Sequence, residues 1–410
     1  MAEDDMTARA AGSGWASFDA VSADGLRRND QYKWTLHGTD LLGADAAEMD
    51  FGTAPAVSEA LVSAVQRGVL GYVPPRLERE LAEACAAWQG NRYGWRIAAD
   101  DVKLLPDVIR ALHVAIENFS RPGSPVIVPT PAYMPFLVVP RLLGREIIEI
   151  EMVPSEGRYR YDLDALERAY RAGGDLLLLC NPHNPSGHVL EREELLALSR
   201  LVDRYGGRVF ADEIHAPLVM PGSEHIPYAS VSEGAARQAL TAVSASKAWN
   251  LAGLKCAQVI LSNDADRERW AGLGRLATDG TSILGVIAAT TAFRHGGPWL
   301  DEARGYLSRN RAVLAELLAE ELPGVNYRPP EGTYLAWLDF RGVALPTLEL
   351  AEFFLRTAGV TVVDGTECGA AGRGFVRLNF ATSQAILAQI VRRMSGAVAA
   401  ASRCEPAWAG

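Results

Sequence analysis

The stretch from Asp175 to Gly187 decides the fold. It reads Asp-Leu-Leu-Leu-Leu-Cys-Asn-Pro-His-Asn-Pro-Ser-Gly, a short apolar run followed by turn-forming residues. A run that is short and apolar throughout is typical of a strand buried on both faces of a parallel sheet. The two Asn-Pro pairs favour a tight turn directly after it. The stretch therefore predicts a central strand that ends in a polar loop.

Similar apolar runs recur on both sides of this stretch, with helical patterns between them. Such an alternation is typical of the α/β class, in which helices cover both faces of a large, mostly parallel sheet. We predict further strands at 124–129, 146–151, 207–211 and 258–261 and the clearest helices at 53–68, 77–88 and 109–119.

The pattern changes after Gly296, where longer helices alternate with isolated strands, as in a smaller α+β domain. We predict helices at 299–322 and 347–358 and strands at 333–338, 360–363 and 375–380. The first thirty residues show little periodicity, and the chain start is expected to be disordered. The expected organisation is an N-terminal segment that joins the small domain (1–48), a large domain (49–295), the small domain (296–398) and a flexible tail (399–410).

Composition excludes several functional classes. The 410 residues contain 50 acidic and 40 basic side chains, a net charge of −10, and no basic stripe. Nucleic acid is therefore not an expected partner, because neutralising phosphates needs clustered Lys and Arg. The five cysteines are scattered and form no Cys-x-x-Cys pair, so neither a disulfide framework nor a metal site is indicated.

The chain also lacks the signals of a membrane or secreted protein. It begins Met-Ala-Glu-Asp-Asp, which is acidic and has no apolar segment of the kind found in signal peptides. No apolar run approaches the roughly 20 residues needed to cross a bilayer. A cytoplasmic protein without a membrane partner is expected.

Polar motifs follow the predicted strands in a regular order. Asn184 follows the strand at 175–180, and Asp212 follows the strand at 207–211. Lys247 precedes the strand at 258–261, and Arg377 lies in the last strand. Each motif alone is usually structural: a turn, a helix cap, an exposed loop or an ion pair. Together they are informative, because function in an open α/β sheet lies in loops at the carboxyl ends of strands.

With these motifs, the sequence resembles fold-type I pyridoxal phosphate (PLP) enzymes of the aminotransferase class I/II superfamily. Within it, the sequence is similar to the cystathionine β-lyases (C–S lyases) of the MalY/PatB type. The resemblance extends from Lys33-Trp34 to Arg377-Leu378-Asn379. The features typical of this branch are Ala47–Phe51, Gly71-Tyr72, Tyr133–Phe136, His183 and His215.

The resemblance implies a role for each residue around the cofactor ring. Lys247 would form the internal aldimine with PLP and later act as general base at the substrate Cα. Asp212 would hold the pyridine nitrogen in its protonated form, which makes the ring an electron sink. Asn184 and His215 would lie at the phenolic oxygen, and Tyr133 would stack on the ring. Lys247, Asp212 and Tyr133 are the expected catalytic residues.

The resemblance also implies how the cofactor phosphate is held. Ser244, Ser246 and Lys255 match phosphate-binding positions of the family. The backbone amides of Val108 and Ile109 open a helix, whose N-terminus favours an anion.

The resemblance implies roles for two further residues, Tyr72 and Arg377. Two other residues depart from the branch pattern. Tyr72 would reach the phosphate of the neighbouring subunit, so a homodimer with shared active sites is expected. Arg377 would clamp the substrate α-carboxylate. Asp45 stands where the branch usually has Trp, and Asp107 stands where it usually has Gly. These acids indicate a larger or more polar substrate, although Asp107 is also suited to cap the helix.

The leading hypothesis is a PLP-dependent C–S β-lyase. It would cleave a cysteine S-conjugate or a cystathionine-like amino acid to a thiol, pyruvate and ammonia. Alternatives are an aminotransferase that uses the same residues, or a biosynthetic variant that decarboxylates or oxidatively deaminates an S-conjugated cysteine. A regulator that keeps only the scaffold is disfavoured, because only about thirty residues precede Lys33, too few for a winged-helix domain. The sequence does not determine the leaving group or the pathway.

Overall fold

The computed structural model describes residues 14–38, 40–155, 158–345, 347 and 349–403. The chain forms two compact units. The small unit comprises the chain up to Gly52, Asp301–Pro330 and the chain from Tyr334 onward. The large unit comprises Thr53–Leu300 and Glu331–Thr333.

Helices and strands alternate through most of the described chain. The α-helices are α1 (Gly14–Asp19), α2 (Ala23–Arg28), α3 (Tyr32–Thr35), α4 (Pro55–Gln66), α5 (Pro75–Tyr93), α6 (Val108–Asn118), α7 (Met134–Leu142), α8 (Leu163–Arg171), α9 (Arg192–Tyr205), α10 (Glu233–Gln238), α11 (Asp264–Ala271), α12 (Arg275–Thr278), α13 (Ile283–His295), α14 (Gly297–Glu321), α15 (Leu350–Ala358) and α16 (Gln384–Arg403). The strands are β1 (Leu42–Gly43), β2 (Val102–Leu105), β3 (Val126–Thr130), β4 (Ile147–Glu151), β5 (Val153–Ser155), β6 (Arg158–Arg160), β7 (Leu176–Cys180), β8 (Arg208–Asp212), β9 (Ala239–Val243), β10 (Ala257–Leu261), β11 (Asn326–Tyr327), β12 (Leu335–Asp339), β13 (Val360–Thr361), β14 (Val363–Asp364) and β15 (Phe375–Asn379). None of the helices described has the length and apolar character needed to cross a membrane.

The large unit is built on a seven-stranded sheet with the order β2-β10-β9-β8-β7-β3-β4. Strands β3, β4, β7, β8 and β9 run parallel, and β10 is antiparallel to both β9 and β2. In the central register, Asp212 lies beside Cys180 on one side and beside Ala242 on the other. The carboxyl ends of β7, β8 and β9 therefore lie at one edge of the sheet, and the α/β class predicted from the sequence is confirmed.

The apolar runs form strands because both faces of the sheet are buried. Every residue of β7 and of β9 is buried, as is every residue of β3 and β10. Helix α6 packs its apolar face on these strands, with Leu112, Ala115 and Ile116 fully buried. Burial of this kind contributes roughly 1.5–3 kcal/mol for each large aliphatic side chain. The central sheet is thus a rigid support for the loops at its edge.

Some elements differ from the prediction. Strand β9 was not predicted, because the Ala-Leu-Thr-Ala-Val run follows α10 directly and has no turn signal before it. Helices α1 and α2 lie within the first thirty residues, where disorder was expected, and residues 1–13 of that prediction lie outside the described residues. Helix α16 continues to Arg403, into the tail expected to be flexible, and the remainder of that tail (404–410) lies outside the described residues.

The small unit contains an antiparallel sheet with the order β11-β12-β15-β14. Its strand β15 places Arg377 opposite Trp337 of β12 and Val363 of β14. A separate parallel pair joins β1 to β13. The alternation of helices and antiparallel strands agrees with the α+β character predicted for this part of the chain.

A buried ion pair anchors the segment before the large unit begins. Lys33 Nζ lies 3.0 Å from Asp50 Oδ1, and the two side chains are 1% and 0% exposed. Trp34 Nε1 donates to the same Asp50 oxygen at 2.9 Å, and Lys33 also donates to the Glu48 carbonyl at 3.3 Å. Removing one member of such a pair leaves a buried charge without compensation.

We expect Asp50→Ala to lower the free energy of unfolding by about 3–5 kcal/mol, because Lys33 then stays buried without its counter-ion. Urea unfolding followed by circular dichroism would measure the loss. The matched control is the double variant Lys33→Met with Asp50→Leu, in which both charges are gone. If the double variant lost as much stability as Lys33→Met and Asp50→Leu lose when their separate losses are added, the pairing would not explain the effect.

Candidate active site

The polar side chains at the edge of the sheet come from three neighbouring strands. Asn184 lies in the loop after β7, Asp212 is the last residue of β8, and Lys247 lies in the loop after β9. Asn184 and Asp212 are buried, and Lys247 is half-buried. Lys247 lies near enough to Asp212 that its charge lowers the pKa of that carboxyl. The structure therefore brings Asp212 and Lys247 together and places Asn184 in the loop after the neighbouring strand, and a site shared by all three stays a prediction.

Asp212 has an unusual electrostatic environment. Burial, together with the negative charge of Glu213, raises the pKa of this carboxyl from 3.8 to about 7. A hydrogen bond from the Ile214 backbone N–H to Asp212 Oδ1, 3.1 Å long, and the charge of Lys247 act in the opposite direction. A carboxyl in this state gains stability from a cationic partner.

The loop that carries Asn184 is held by its own side chains. Asn181 Oδ1 accepts from the Leu190 backbone N–H at 3.0 Å, and His183 Nδ1 lies 2.7 Å from Ser186 Oγ. The His183 N–H also donates to the His188 carbonyl at 2.8 Å. Burial lowers the pKa of His183 to about 3, so this imidazole is neutral and structural.

The segment Glu331–Thr333 packs on this loop. The backbone N–H groups of Glu331 and Gly332 both donate to the Gly187 carbonyl at 2.9 Å. A Cβ on Gly332 would lie 2.7 Å from Pro182 Cβ, so only glycine allows this approach. Thr333 is fully buried with φ at +67°, which is strained for a β-branched residue.

Charged side chains lock the segment to the loop. Glu331 Oε2 lies 3.1 Å from His188 Nδ1, and Glu331 Oε1 lies 2.9 Å from an Arg158 nitrogen. On the other side, His188 Nε2 lies 3.4 Å from Glu194 Oε2. Sequence reasoning missed Glu331, which is 143 residues from His188, because no local pattern links the two positions.

Other predicted residues lie around the N-terminus of α6. Asp107 caps this helix, since its Oδ1 accepts from the Arg110 N–H at 2.7 Å, and its Oδ2 lies 3.0 Å from Lys255 Nζ. Val108 and Ile109 are the first two residues of the helix. The acid at position 107 is thus turned toward a cation, and the capping role predicted for it is confirmed.

The two predicted serines have defined hydrogen bonds. Ser244 Oγ donates to the Cys256 carbonyl at 2.8 Å and accepts from the Ser246 N–H at 3.1 Å. Ser246 is half-buried, whereas Ser244 is buried. Ser244 therefore shapes the loop before Lys247, and its contact with a phosphate stays a prediction.

The aromatic and imidazole candidates lie in the same unit. Tyr133 precedes α7 and packs edge-on against Phe136 with ring centroids 5.9 Å apart. His215 directly follows Ile214 in the loop after β8, and it is buried.

 Counted from the end of β8, His215 is the third residue after Asp212, and its side chain is 2% exposed. The contacts of Tyr133 and His215 with a cofactor ring stay predictions.

Tyr72 lies in the large unit and is 91% exposed. It belongs to an apolar surface made by α4 and the residues after it, which we call the α4 surface. This surface exposes Val62, Val65, Leu70 and Tyr72 by 49%, 51%, 63% and 91%. Several exposed large apolar side chains close together in the chain are a feature of interaction sites, and a partner at this surface stays a prediction.

Arg377 and Asp45 lie in the small unit. Arg377 is 3% exposed, and its guanidinium donates to the Asp45 carbonyl at 3.0 Å. The Asp45 carboxylate accepts from the Ala46 N–H at 2.8 Å and lies 2.9 Å from His37 Nε2. The Asp45 carboxylate is thus held by His37, and the backbone carbonyl of the same residue contacts Arg377, the predicted carboxylate clamp.

The His188 network predicts a pH-dependent stability. Burial lowers the pKa of His188, but its contacts with Glu194 and Glu331 outweigh burial and raise it. Burial raises the pKa of Glu331, but His188 and the Val189 N–H lower it to about 2. The contribution of Glu331 to the stability of the fold is lost as the pH falls below the usual carboxyl pKa of 4.5. The contribution of His188 is lost as the pH rises above the usual imidazole pKa of 6.5.

We therefore expect the network to stabilise the protein most between pH 4.5 and 6.5. The measurement is the difference in thermal unfolding midpoint between the wild type and His188→Gln, taken across the pH range. The difference should be largest in that window and smaller above it. The exposed pair of Glu352 and Arg356 offers a control, since Glu352→Gln should show no such window. A difference independent of pH would contradict the role of the charges.

Comparison with known proteins identifies the family. The family described as aminotransferase class I and II matches residues 39–394. Cystathionine beta-lyase of Corynebacterium glutamicum is 42% identical over 373 residues, which cover 90% of this chain and 97% of the relative. Cystathionine beta-lyase PatB of Bacillus subtilis is 36% identical, with 89% and 96% covered.

Solved structures agree with these relatives. A putative PLP-dependent beta-cystathionase from Corynebacterium diphtheriae matches with a TM-score of 0.88 and 42% identity, covering 92% of this chain and 98% of the other. Cystalysin from Treponema denticola, solved with pyridoxal 5'-phosphate, matches with a TM-score of 0.87 and 30% identity, covering 93% and 99%. The chain therefore belongs to the aminotransferase class I and II family of fold-type I, PLP-dependent enzymes.

Proposed function

We propose that this chain is a PLP-dependent C–S β-lyase that cleaves a cysteine S-conjugate or a cystathionine-like amino acid. The relatives named cystathionine beta-lyase match about nine tenths of the chain. The observation that carries the proposal is the buried Asp212 carboxyl, with a pKa of about 7, beside the amine of Lys247. These two groups are the ones that a pyridoxal ring and an amino-acid Cα require.

The donor set of the large unit fits the cofactor. A protonated pyridine nitrogen would supply the cation that the buried Asp212 carboxyl favours. Lys247 offers a primary amine for the aldehyde, and the first turn of α6 offers backbone N–H groups for the phosphate. When bound, PLP withdraws electrons from the Cα of the amino acid.

The chemical step assigned to this chain is a proton transfer. Lys247 Nζ would take the Cα proton of the substrate, and the Cβ–S bond would then break. The sulfur leaves as a thiolate with the electron pair of that bond. The remaining three-carbon fragment takes up water and yields pyruvate and ammonia, so atoms and charge balance.

The other predicted residues would bind and orient. Asn184 and His215 would lie at the phenolic oxygen, Tyr133 would stack on the ring, and Arg377 would hold the substrate carboxylate as a two-pronged donor.

The cofactor phosphate would be held by Ser244, Ser246, Lys255 and the amides of Val108 and Ile109. Lys255 already pairs with Asp107 at 3.0 Å. The phosphate would therefore share this lysine with a carboxylate, and the neutral donors carry more of the binding.

An aminotransferase is the second candidate, because several similar proteins bear that name. One solved structure described as a PLP-bound putative aminotransferase, from Clostridium difficile, matches with a TM-score of 0.87 and 28% identity. An aminotransferase would need a 2-oxo acid and would release no thiol.

We further propose that the α4 surface is covered by a second copy of the chain, and that Tyr72 reaches the phosphate site of that copy. An aromatic side chain that is 91% exposed, on an apolar surface, supports an interface between copies.

The central test is to give the purified protein with PLP a panel of S-substituted cysteines and cystathionine. We expect free thiol and pyruvate in equal amounts, with no need to add a 2-oxo acid as amino acceptor. Borohydride treatment should fix the cofactor mass on Lys247. Lys247→Ala should lose activity by at least about a hundredfold, because the proton acceptor is gone.

The control is a half-buried lysine of strand β2 that is not assigned a role: Lys103→Ala should keep full activity. Amino-acid turnover that needs a 2-oxo acid and releases no thiol would favour the aminotransferase. A cofactor mass on a different residue, or none, would contradict the whole assignment.

Shared active sites predict complementation between inactive variants. In a mixed dimer of Tyr72→Ala and Lys247→Ala, one site has both native residues and the other has neither. Random mixing gives half mixed dimers, so we expect about a quarter of the wild-type activity after mixing and refolding. The readout is thiol release, with sedimentation to verify dimers. No recovery, with dimers present, would show that Tyr72 does not serve the partner's site.

A further inference from the structure

A second buried carboxylate lies directly behind Asp212. Glu213 is 1% exposed, and its backbone N–H donates to the Ala242 carbonyl of β9 at 2.9 Å. Glu213 Oε1 accepts from the Tyr228 N–H at 2.7 Å, and Glu213 Oε2 lies 3.0 Å from His225 Nε2. Both carboxylate oxygens of Glu213 are therefore engaged, Oε1 by a backbone donor and Oε2 by the His225 ring.

A small cavity adjoins Glu213. It has a volume of about 10 Å³, which is room for a single water molecule. The cavity is lined by Glu213, Trp88, Gln89, Tyr93, Val243 and Ser244, among others. Among the described residues, neither Trp88 Nε1 nor Gln89 Oε1 has a hydrogen-bond partner, although both atoms are buried. One water could accept from Trp88 and donate to Gln89 and Glu213, which satisfies all three groups.

We propose that Glu213, held by His225, Tyr228 and one buried water, is a positioning residue whose negative charge keeps the cofactor ring nitrogen protonated through Asp212. This inference rests on the proposed function, in which Asp212 faces that nitrogen. A second negative charge behind Asp212 attracts the proton shared by the carboxyl and the ring.

The other groups that face Asp212 do not supply this charge. Lys247, in the loop after β9, is a cation and lowers the pKa of Asp212. The Cys180 thiol of β7 stays neutral, because burial raises its pKa well above the usual value. The Ile214 N–H donates to Asp212 and also stabilises its ionised form. Burial is the largest cause of the raised pKa of Asp212, and Glu213 is the charged group that acts in the same direction.

The test is the protonation of the ring nitrogen in the holoenzyme, followed by NMR with 15N-labelled PLP across the pH range. In Glu213→Gln, the nitrogen should lose its proton about one pH unit lower than in the wild type. Glu213→Asp keeps the charge and should titrate close to the wild type. Glu167→Gln, a variant of an outer-helix carboxylate paired with Arg171, is the matched control and should change nothing.

A merely structural role would give a different pattern. It would change the affinity for PLP and for an analogue that lacks the ring nitrogen by the same factor, whereas the charge should affect PLP alone. An unchanged nitrogen titration in Glu213→Gln would overturn the inference. If the wild-type nitrogen were unprotonated, or indifferent to Asp212→Asn, the proposed role of Asp212 would fail instead.

A measurement on the wild type covers the case in which Glu213→Gln does not fold. Neutron diffraction from the holoenzyme at neutral pH should show deuterium on the ring nitrogen, none on Glu213, and one water between Trp88 and Gln89. Deuterium on Glu213 would overturn the inference. An empty cavity would contradict the part of it that assigns a water to Glu213.

Discussion

The burial of Asp212 is the constraint on which the site depends. A carboxyl at the end of a central strand loses its hydration, and burial brings its pKa close to neutrality. The sheet imposes this burial, because Asp212 lies in register between Cys180 and Ala242. The same register brings the loops after β7 and β9 to the carboxyl, so the residues that fold the sheet also assemble the chemistry.

The chain contains two kinds of buried carboxylate, and their partners distinguish them. Asp50 has an ammonium at 3.0 Å and an indole N–H at 2.9 Å from the same oxygen, so its charge is balanced within the small unit. Asp212 Oδ1 accepts a backbone N–H at 3.1 Å, and the charge of Lys247 lowers the pKa of this carboxyl. The first arrangement supplies the counter-ion from the fold itself. The second favours a further cation, which is the property expected of a cofactor site.

The sequence was sufficient for five of the seven strands of the central sheet, all but β2 and β9, and for the order of the site residues. Strands β7 and β8 were predictable because burial on both faces requires runs without polar residues, and Asn184, Asp212 and Lys247 follow from their places relative to strands. Strand β9 was missed because it directly follows α10. Glu331 and the cavity beside Glu213 were missed for a different reason: they depend on where distant segments return to the sheet, which no local pattern encodes.

The acids that depart from the family pattern show how structure changes the interpretation of a sequence. An aspartate beside a phosphate site is unfavourable if its charge faces the anion. Asp107 instead caps α6 through the Arg110 N–H and pairs with Lys255, so its charge is balanced before any anion arrives. Asp45 is likewise paired with His37. Each acid therefore has a side-chain partner that the sequence alone did not identify, a lysine for Asp107 and a histidine for Asp45.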